Sequence, residues 1–360
     1  MTTHRPLNLQ RMVLLTGGML DRPAAKTALN MIRYRPGDVL AVLDSVHAGK
    51  TCQDVLGWGG PIPVVASVNE AEGADSLVIG IAPPGGKLPE TMREAVRSAI
   101  QRRMTIVSGL HDFLALDHEF TGMAELHGAT LLDLRRNQER DVLHGQGWDE
   151  SCLRVLTVGH DCSVGKMLVS VELTRALQRI GQDAAFLATG QTGILIAGDG
   201  CPVDAVVADF LNGAVERLVL RHQPHRILMI EGQGSIVHPR YSPVTLGLLH
   251  GSRPDAMILC YEVGRETVYG MDEVRLPGLA RFIDLYETMA GMVHPSKVIG
   301  VGMNSRRVDA DRARLEREKV RDALCLPVCD VIRDGPDELV QAVLGYGRAV
   351  GKLEGAIHQI

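Results

Sequence analysis

Apolar residues fall along this chain in two rhythms. Short unbroken runs that end in glycine or a polar turn recur through the first part: VLAVLDS at 39–45, SLVIGIAPPGG at 76–86 and MTIVSGLHD at 104–112. Runs of that length without alternation predict strands buried on both faces, as in a parallel sheet. Between them LPETMREAVRSAIQRR changes period. Met92, Val96 and Ile100 recur at helical spacing, and Pro89 stands where a helix start tolerates proline. Strand and helix alternate, which predicts a doubly wound α/β sheet.

From Asn137 to Glu150 the stretch NQERDVLHGQGWDE loses its periodicity and turns polar, which predicts one domain at 1–145 and a second at 146–360. The alternation then restarts with LRVLTVG, a helix through KMLVSVELTRALQRI, and the runs AAFLAT, RILMIEGQG, DAMILCYEVG and SKVIGVGMNS. Val169, Leu173, Leu177 and Ile180 form the predicted buried face of that helix. DADRARLEREKVRD at 309–322 predicts a solvated helix. The 360 residues, 45% of them hydrophobic, suffice for two cores of ordinary size.

Charge narrows the partners. Net charge is −5 and no basic run stands apart from compensating acids, so small-molecule substrates are expected and nucleic acid is not. No apolar run approaches a membrane span or the core of a signal peptide, so the expectation is a cytoplasmic protein with no membrane partner. The seven cysteines are scattered, and Cys325 and Cys329 lack a second pair at metal-site spacing. Reduced thiols, no resident metal and a homo-oligomer are expected.

The candidate chemistry begins at VLTVGHDCSVGKM, residues 155–167. Gly159, Gly165 and Lys166 hold the fixed positions of GxxxxGK between a predicted strand and an amphipathic helix. In that setting successive backbone N–H groups and a helix start cradle phosphate. The residue after the lysine is Met167, not the serine or threonine that would hold magnesium. A thioether is a soft, weak ligand for a hard cation, so the loop is expected to bind phosphate without phosphoryl chemistry. Ser163 and Ser170 are the nearby hydroxyls that can stand in.

A second GKT at 49–51 has Asp44 where the first glycine belongs and is expected to be a polar turn; Gly85, Gly86 and Lys87 are read chiefly as turn residues. Glu231 follows RILMI, which puts a carboxylate at the carboxyl edge of the sheet as base or as anchor for a substrate ammonium. His238, Arg240 and Tyr241 lie in VHPRYSP, a loop shaped by two prolines. There an imidazole can take a proton from an amine, and an arginine can pair with a carboxylate. Arg265 in EVGRE is a further candidate, and Asp204 and Asp209 are read as one helix cap and one acid facing the site.

VGHDCSVGK resembles the phosphate loop of dethiobiotin synthetase, and EGQGS at 231–235 resembles that family's acidic residue and glycines after the next major strand. TGQTGILIAGDGCPVDAVVADF (189–210) and IEGQGSIVHPRYSPVTLGLLHGSRPDA (230–256) are similar to the long signatures of a two-domain family whose characterised activity is D-glutamate N-acetyltransferase. That resemblance spans nearly the whole chain. It implies an amino-terminal Rossmann-like domain, a carboxy-terminal P-loop NTPase-like domain, acetyl-CoA as cosubstrate and a D-amino acid acceptor. Gly159, Asp161, Gly165 and Lys166 match the phosphate loop, Glu231 the acidic position, and Asn304 of VGMNS the asparagine that reads adenine.

The expected site is therefore Glu231 and His238 for catalysis and Gly159, Asp161, Ser163, Gly165, Lys166, Met167 and Asn304 for the donor. Asp209, Arg240, Tyr241 and Arg265 are assigned to the acceptor. The expected reaction is direct acyl transfer from acetyl-CoA to an amine, with no protein nucleophile. Two other readings stand beside it: a magnesium- and ATP-dependent carboxylate ligase resembling dethiobiotin synthetase, and a nucleotide-binding protein without turnover.

Overall fold

The computed structural model describes residues 7–354. The chain divides into two compact units: one runs to Asn137 and adds Gln191–Ala205, and the other takes Gln138–Gly190 and continues from Val206.

The first unit holds β1 (Met12–Leu15), β2 (Val39–Leu43), β3 (Val64–Val65), β4 (Ser76–Ile79), β5 (Thr105–Ser108) and β6 (Thr130–Asp133). Every pairing is parallel and the order is β3-β2-β1-β4-β5-β6, a doubly wound sheet of Rossmann type. The helix read from Met92, Val96 and Ile100 forms at Arg93–Gln101, and those three side chains are buried. The GKT at 49–51 is a helix start of another kind. Thr51 accepts from the Asp54 amide and Asp54 reaches back to Thr51, a reciprocal cap on Cys52–Leu56. At Gly86 the turn reading is met by φ +66°, and the Lys87 side chain is exposed, 4.0 Å from Asp112.

The second unit holds β7 (Leu153–Gly159), β8 (Ala184–Leu187), β9 (Ile227–Ile230), β10 (Ala256–Glu262), β13 (Lys297–Asn304) and β14 (Val328–Cys329), with a small hairpin of β11 (Thr267–Val268) and β12 (Met271–Arg275). The sheet is parallel throughout, ordered β14-β13-β10-β7-β9-β8. After β7 the chain runs outward to β8 on one side and later to β13 and β14 on the other. Such a reversal opens a crevice at the carboxyl ends of the central strands, where ligands of this architecture bind. Because all strands run the same way, the loops after β7, β9, β10 and β13 leave from one edge.

β7 and β10 are buried along their whole length, which is why they appear in the sequence as unbroken apolar runs. Helix Lys166–Arg179 packs Val169, Leu173 and Leu177 into the core with Val155, Ile227 and Ile258. Each such side chain contributes roughly 1.5–3 kcal/mol. Ile180, expected on the same face, is 53% exposed because the helix ends at Arg179. Residues 309–322 form most of helix Ala310–Leu324, where only Ala313 and Val320 are buried. The polar stretch after Asn137 has no regular structure, yet His144 and Gly145 donate backbone N–H bonds of 2.7 and 2.6 Å to the buried carboxylate of Glu216. It is strapped to the second unit. Among the described residues no helix is long and apolar enough to cross a membrane.

Candidate functional site

The loop between β7 and helix Lys166–Arg179 turns through Ser163 at φ +55° and Gly165 at φ +108°. The Gly165 conformation is one that L side chains rarely adopt, so glycine there is a requirement of the turn. The amides of Lys166, Met167 and Leu168 in the first turn have no acceptor within the helix and supply the donors a phosphate needs, while the Val169 amide donates to the Gly165 carbonyl at 3.0 Å. Lys166 is buried, and Nζ donates to the carbonyls of Asp161 (2.8 Å) and Gly234 (2.7 Å). Burial lowers its pKa, an expense that an anion in the cradle would offset. Two glycines make room for the lysine. A Cβ on Gly159 would lie 2.8 Å from Nζ, and one on Gly232 would overlap the Thr157 carbonyl oxygen. The Gly159 carbonyl also accepts from the Tyr286 hydroxyl (2.7 Å), which in turn accepts from the Ile236 amide (3.1 Å).

Glu231, one residue past β9, is buried and its Oε2 accepts from the amides of Thr189 (2.9 Å) and Gly190 (3.1 Å). Thr189 Oγ1 donates to the Glu231 carbonyl (2.7 Å) and accepts from Gln233 Nε2 (3.2 Å). The loop after β8 therefore fixes the carboxylate next to the turn that carries Lys166's second acceptor, Gly234. The Thr189 and Gly190 partners had no signal in the sequence beyond lying in the 189–210 signature.

Asp161 is fully buried and accepts from the Cys162 amide (2.6 Å), the Tyr269 amide (2.7 Å) and Arg265 Nη1 (2.9 Å). Arg265 also pairs with Glu262 and donates to the Cys162 carbonyl, and Arg306 donates to Glu262 at 2.6 Å. This pins the β11–β12 hairpin to the phosphate loop. Arg265 was expected to bind the acceptor. Its guanidinium is committed to two carboxylates, so its place is that of a loop brace. Asp161 likewise braces the loop.

His238 is fully buried beside this network, and its Nδ1 accepts the Arg240 N–H at 3.1 Å. The proton of a neutral ring therefore sits on Nε2, which lies 3.9 Å from Asp161 Oδ1. In that tautomer Nε2 offers a donor where the expected base needs an acceptor, and it has no hydrogen-bond partner among the described residues. The same tautomer decides a metal question. One atom each from Asp161, Cys162 and His238 lie within 4.8 Å of one another. A metal on Nε2 would need the proton on Nδ1, where the Arg240 N–H points. In this tautomer the imidazole is not available to a metal through Nε2.

Met167 is half-buried and offers only sulfur, and the Ser170 hydroxyl lies 3.0 Å from Thr157 Oγ1 and 3.4 Å from the Ile230 carbonyl it faces. Ser163 is exposed. Asn304, at the end of β13, places Nδ2 3.3 Å from the Val164 carbonyl and so stands against the loop. Arg240 and Tyr241 are exposed beside His238, with the Tyr241 ring 4.5 Å from the imidazole. Asp209 is exposed in the first turn of helix Ala208–His222, with no hydrogen bond to the loop among the described residues. Asp204, read together with it as one helix cap and one acid facing the site, belongs to the first unit and pairs with Arg135 at 2.8 Å.

These features define a Rossmann-like unit joined to a P-loop unit. Residues 45–137 match the Rossmann-like domain DUF1611_N and residues 141–340 the P-loop domain DUF1611_C, both described as domains of unknown function. The chain belongs to the DUF1611 family. A curated relative from Pseudoalteromonas sp, named D-glutamate N-acetyltransferase, is 38% identical over 74% of this chain and 81% of its own length. A second of that name, from Tritonibacter scottomollicae, is 34% identical over 92% of this chain and 97% of its own. The crystal structure of a DUF1611 family protein from Anabaena variabilis is 37% identical and covers 93% of this chain and 99% of that one, with a TM-score of 0.88.

Proposed function

We propose that this chain transfers the acetyl group of acetyl-CoA to the amine of a D-amino acid, with D-glutamate the foremost acceptor. The observation that carries this reading is similarity, through both units, to relatives named for that activity. The loop geometry supports it from a second direction, because a phosphate cradle with Met167 in place of a hydroxyl suits a ligand held by its phosphates and reacting elsewhere.

Lys166 and the amides that open its helix take the diphosphate of CoA, and Asn304 takes the adenine side. The acceptor enters as an ammonium and must lose a proton before its nitrogen can attack. Glu231 is assigned that proton, since the His238 nitrogen facing the loop already carries one. The amine nitrogen then bonds to the thioester carbonyl carbon, negative charge collects on the oxygen, and N–H donors stabilise it without a metal. The C–S bond breaks as the carbonyl reforms, and the second proton that the attacking nitrogen sheds in becoming the neutral amide ends on the CoA thiolate. Arg240, exposed two residues from His238, is assigned to an acceptor carboxylate. The ligase alternative requires magnesium on the transferring phosphate, and Met167 is the residue that argues against it.

The test is release of free thiol from acetyl-CoA in the presence of a panel of D- and L-amino acids. Release that depends on a D-amino acid, D-glutamate most of all, supports the assignment. No release with any amino acid, together with ATP consumption on a carboxylate substrate, replaces it with the ligase.

A further inference from the structure

Beside the phosphate loop lies a cavity of about 280 Å³, walled by His160 of the loop, Tyr261 of β10 and the apolar side chains Leu276, Pro277 and Leu279. His160 is 3% and Tyr261 4% exposed, and their rings meet edge to face with centroids 6.0 Å apart. Among the described residues, neither ring nitrogen of His160 nor the Tyr261 hydroxyl has a hydrogen-bond partner. Buried polar atoms are nearly always paired, so three such atoms on one cavity wall point to a ligand that completes them.

The wall also states the kind of ligand. Burial, reinforced by the charge of Arg265, pushes His160 down to about 3, so the ring is neutral and offers one donor and one acceptor. The charged residues around the cavity are answered within the protein. Glu262 is held by Arg265 and Arg306, Glu266 stands 3.8 Å from Arg275, and Glu316 stands 3.5 Å from Lys319. A free amino acid, charged at both ends, would find its charges unmatched here. An uncharged chain with an amide and short methylene runs would not: the amide carbonyl and N–H complement an imidazole and a phenol, and leucine and proline cover the methylenes.

We propose that this cavity receives the uncharged, amide-bearing arm of the acyl-CoA donor, the segment between its diphosphate and its thioester. His160 and Tyr261 hydrogen-bond an amide of the arm. Because His160 directly follows Gly159 in the loop, a donor held there by its diphosphate is placed to lead its arm into the cavity. This inference rests on the acetyl-CoA reading given above and adds to it the residues that recognise the arm.

The experiment measures, by titration calorimetry, the affinity of CoA and of its nucleotide half, 3′-phosphoadenosine 5′-diphosphate, for the unaltered protein, H160F and Y261F. The unaltered protein should bind CoA more tightly than the nucleotide half. Each variant should weaken CoA about tenfold, the scale of one hydrogen bond made in a buried site, and leave the nucleotide half unchanged. The Michaelis constant for acetyl-CoA should rise in step while that for D-glutamate stays. Y261F removes one oxygen and no bulk, so it serves even if H160F fails to fold. CoA affinity unchanged in both variants, equal weakening of CoA and its nucleotide half, or a shift in the acceptor's constant alone overturns the cavity assignment. Absence of CoA binding to the unaltered protein overturns the acetyl-CoA reading with it.

Discussion

Lys166 carries more of the proposed site than any other side chain. Its ammonium is buried and, among the described residues, donates to the Asp161 and Gly234 carbonyls, neutral acceptors it can exchange for a phosphate oxygen at little cost. Lys166→Ala should weaken CoA binding by about 2 kcal/mol, the scale of a charge-assisted contact, with the fold retained. Calorimetric titration checks this, and unchanged affinity would remove Lys166 from the donor site. His160 yields a prediction about stability. Its pKa is about 3 in the folded chain against 6.5 for an unperturbed histidine. Between those values the unfolded chain binds the extra proton, so stability falls as pH is lowered from 6.5 toward 3. H160F should flatten that part of the profile, and urea midpoints at neutral and mildly acid pH would read it. Equal acid sensitivity in the two proteins contradicts the buried, neutral imidazole.

At the scale of elements, most strands of four residues or more were legible, β1 and β6 were not, and neither were the two-residue strands. β2, β4, β5, β7, β10 and β13 are parallel strands covered on both faces, and that covering shows in the sequence as unbroken apolar runs. β3 and β14, each of two residues, and the β11–β12 hairpin are too short to impose a period. The phosphate loop was legible because its chemistry is local. The braces around it were not: Asp161 meets Arg265 across 104 residues, and Gly159 meets Tyr286 across 127. Ile180 misled because periodicity carries on past the residue where a helix stops. The turn after β9 is the most demanding element, since Gly232 passes directly over the Thr157 carbonyl. Gly232→Ala should lower unfolding free energy by more than about 2 kcal/mol, the mark of steric strain in a packed site. Urea denaturation measures it, and a neutral effect would show that the turn can yield.

For the whole molecule, the notable feature is how the chain is shared between its units. Gln191–Ala205 leaves the P-loop unit immediately after Thr189 and Gly190, the residues that hold Glu231, and belongs to the Rossmann-like unit. No local composition announces that excursion, because a short helix inserted into either sheet reads the same. The order of β7 among its neighbours, by contrast, follows from parallel pairing and sets the loops after β7, β9, β10 and β13 along one edge. On the proposed function, phosphates are held at that edge as a handle, and the chemistry occurs at a thioester without a metal. The most direct measurement incubates the protein with acetyl-CoA, D-glutamate and excess EDTA and follows N-acetyl-D-glutamate by mass spectrometry. The expected result is product formation at a rate close to that without chelator, with ATP hydrolysis at background when magnesium and ATP are supplied instead. Loss of product on chelation, restored by magnesium alone, would contradict it.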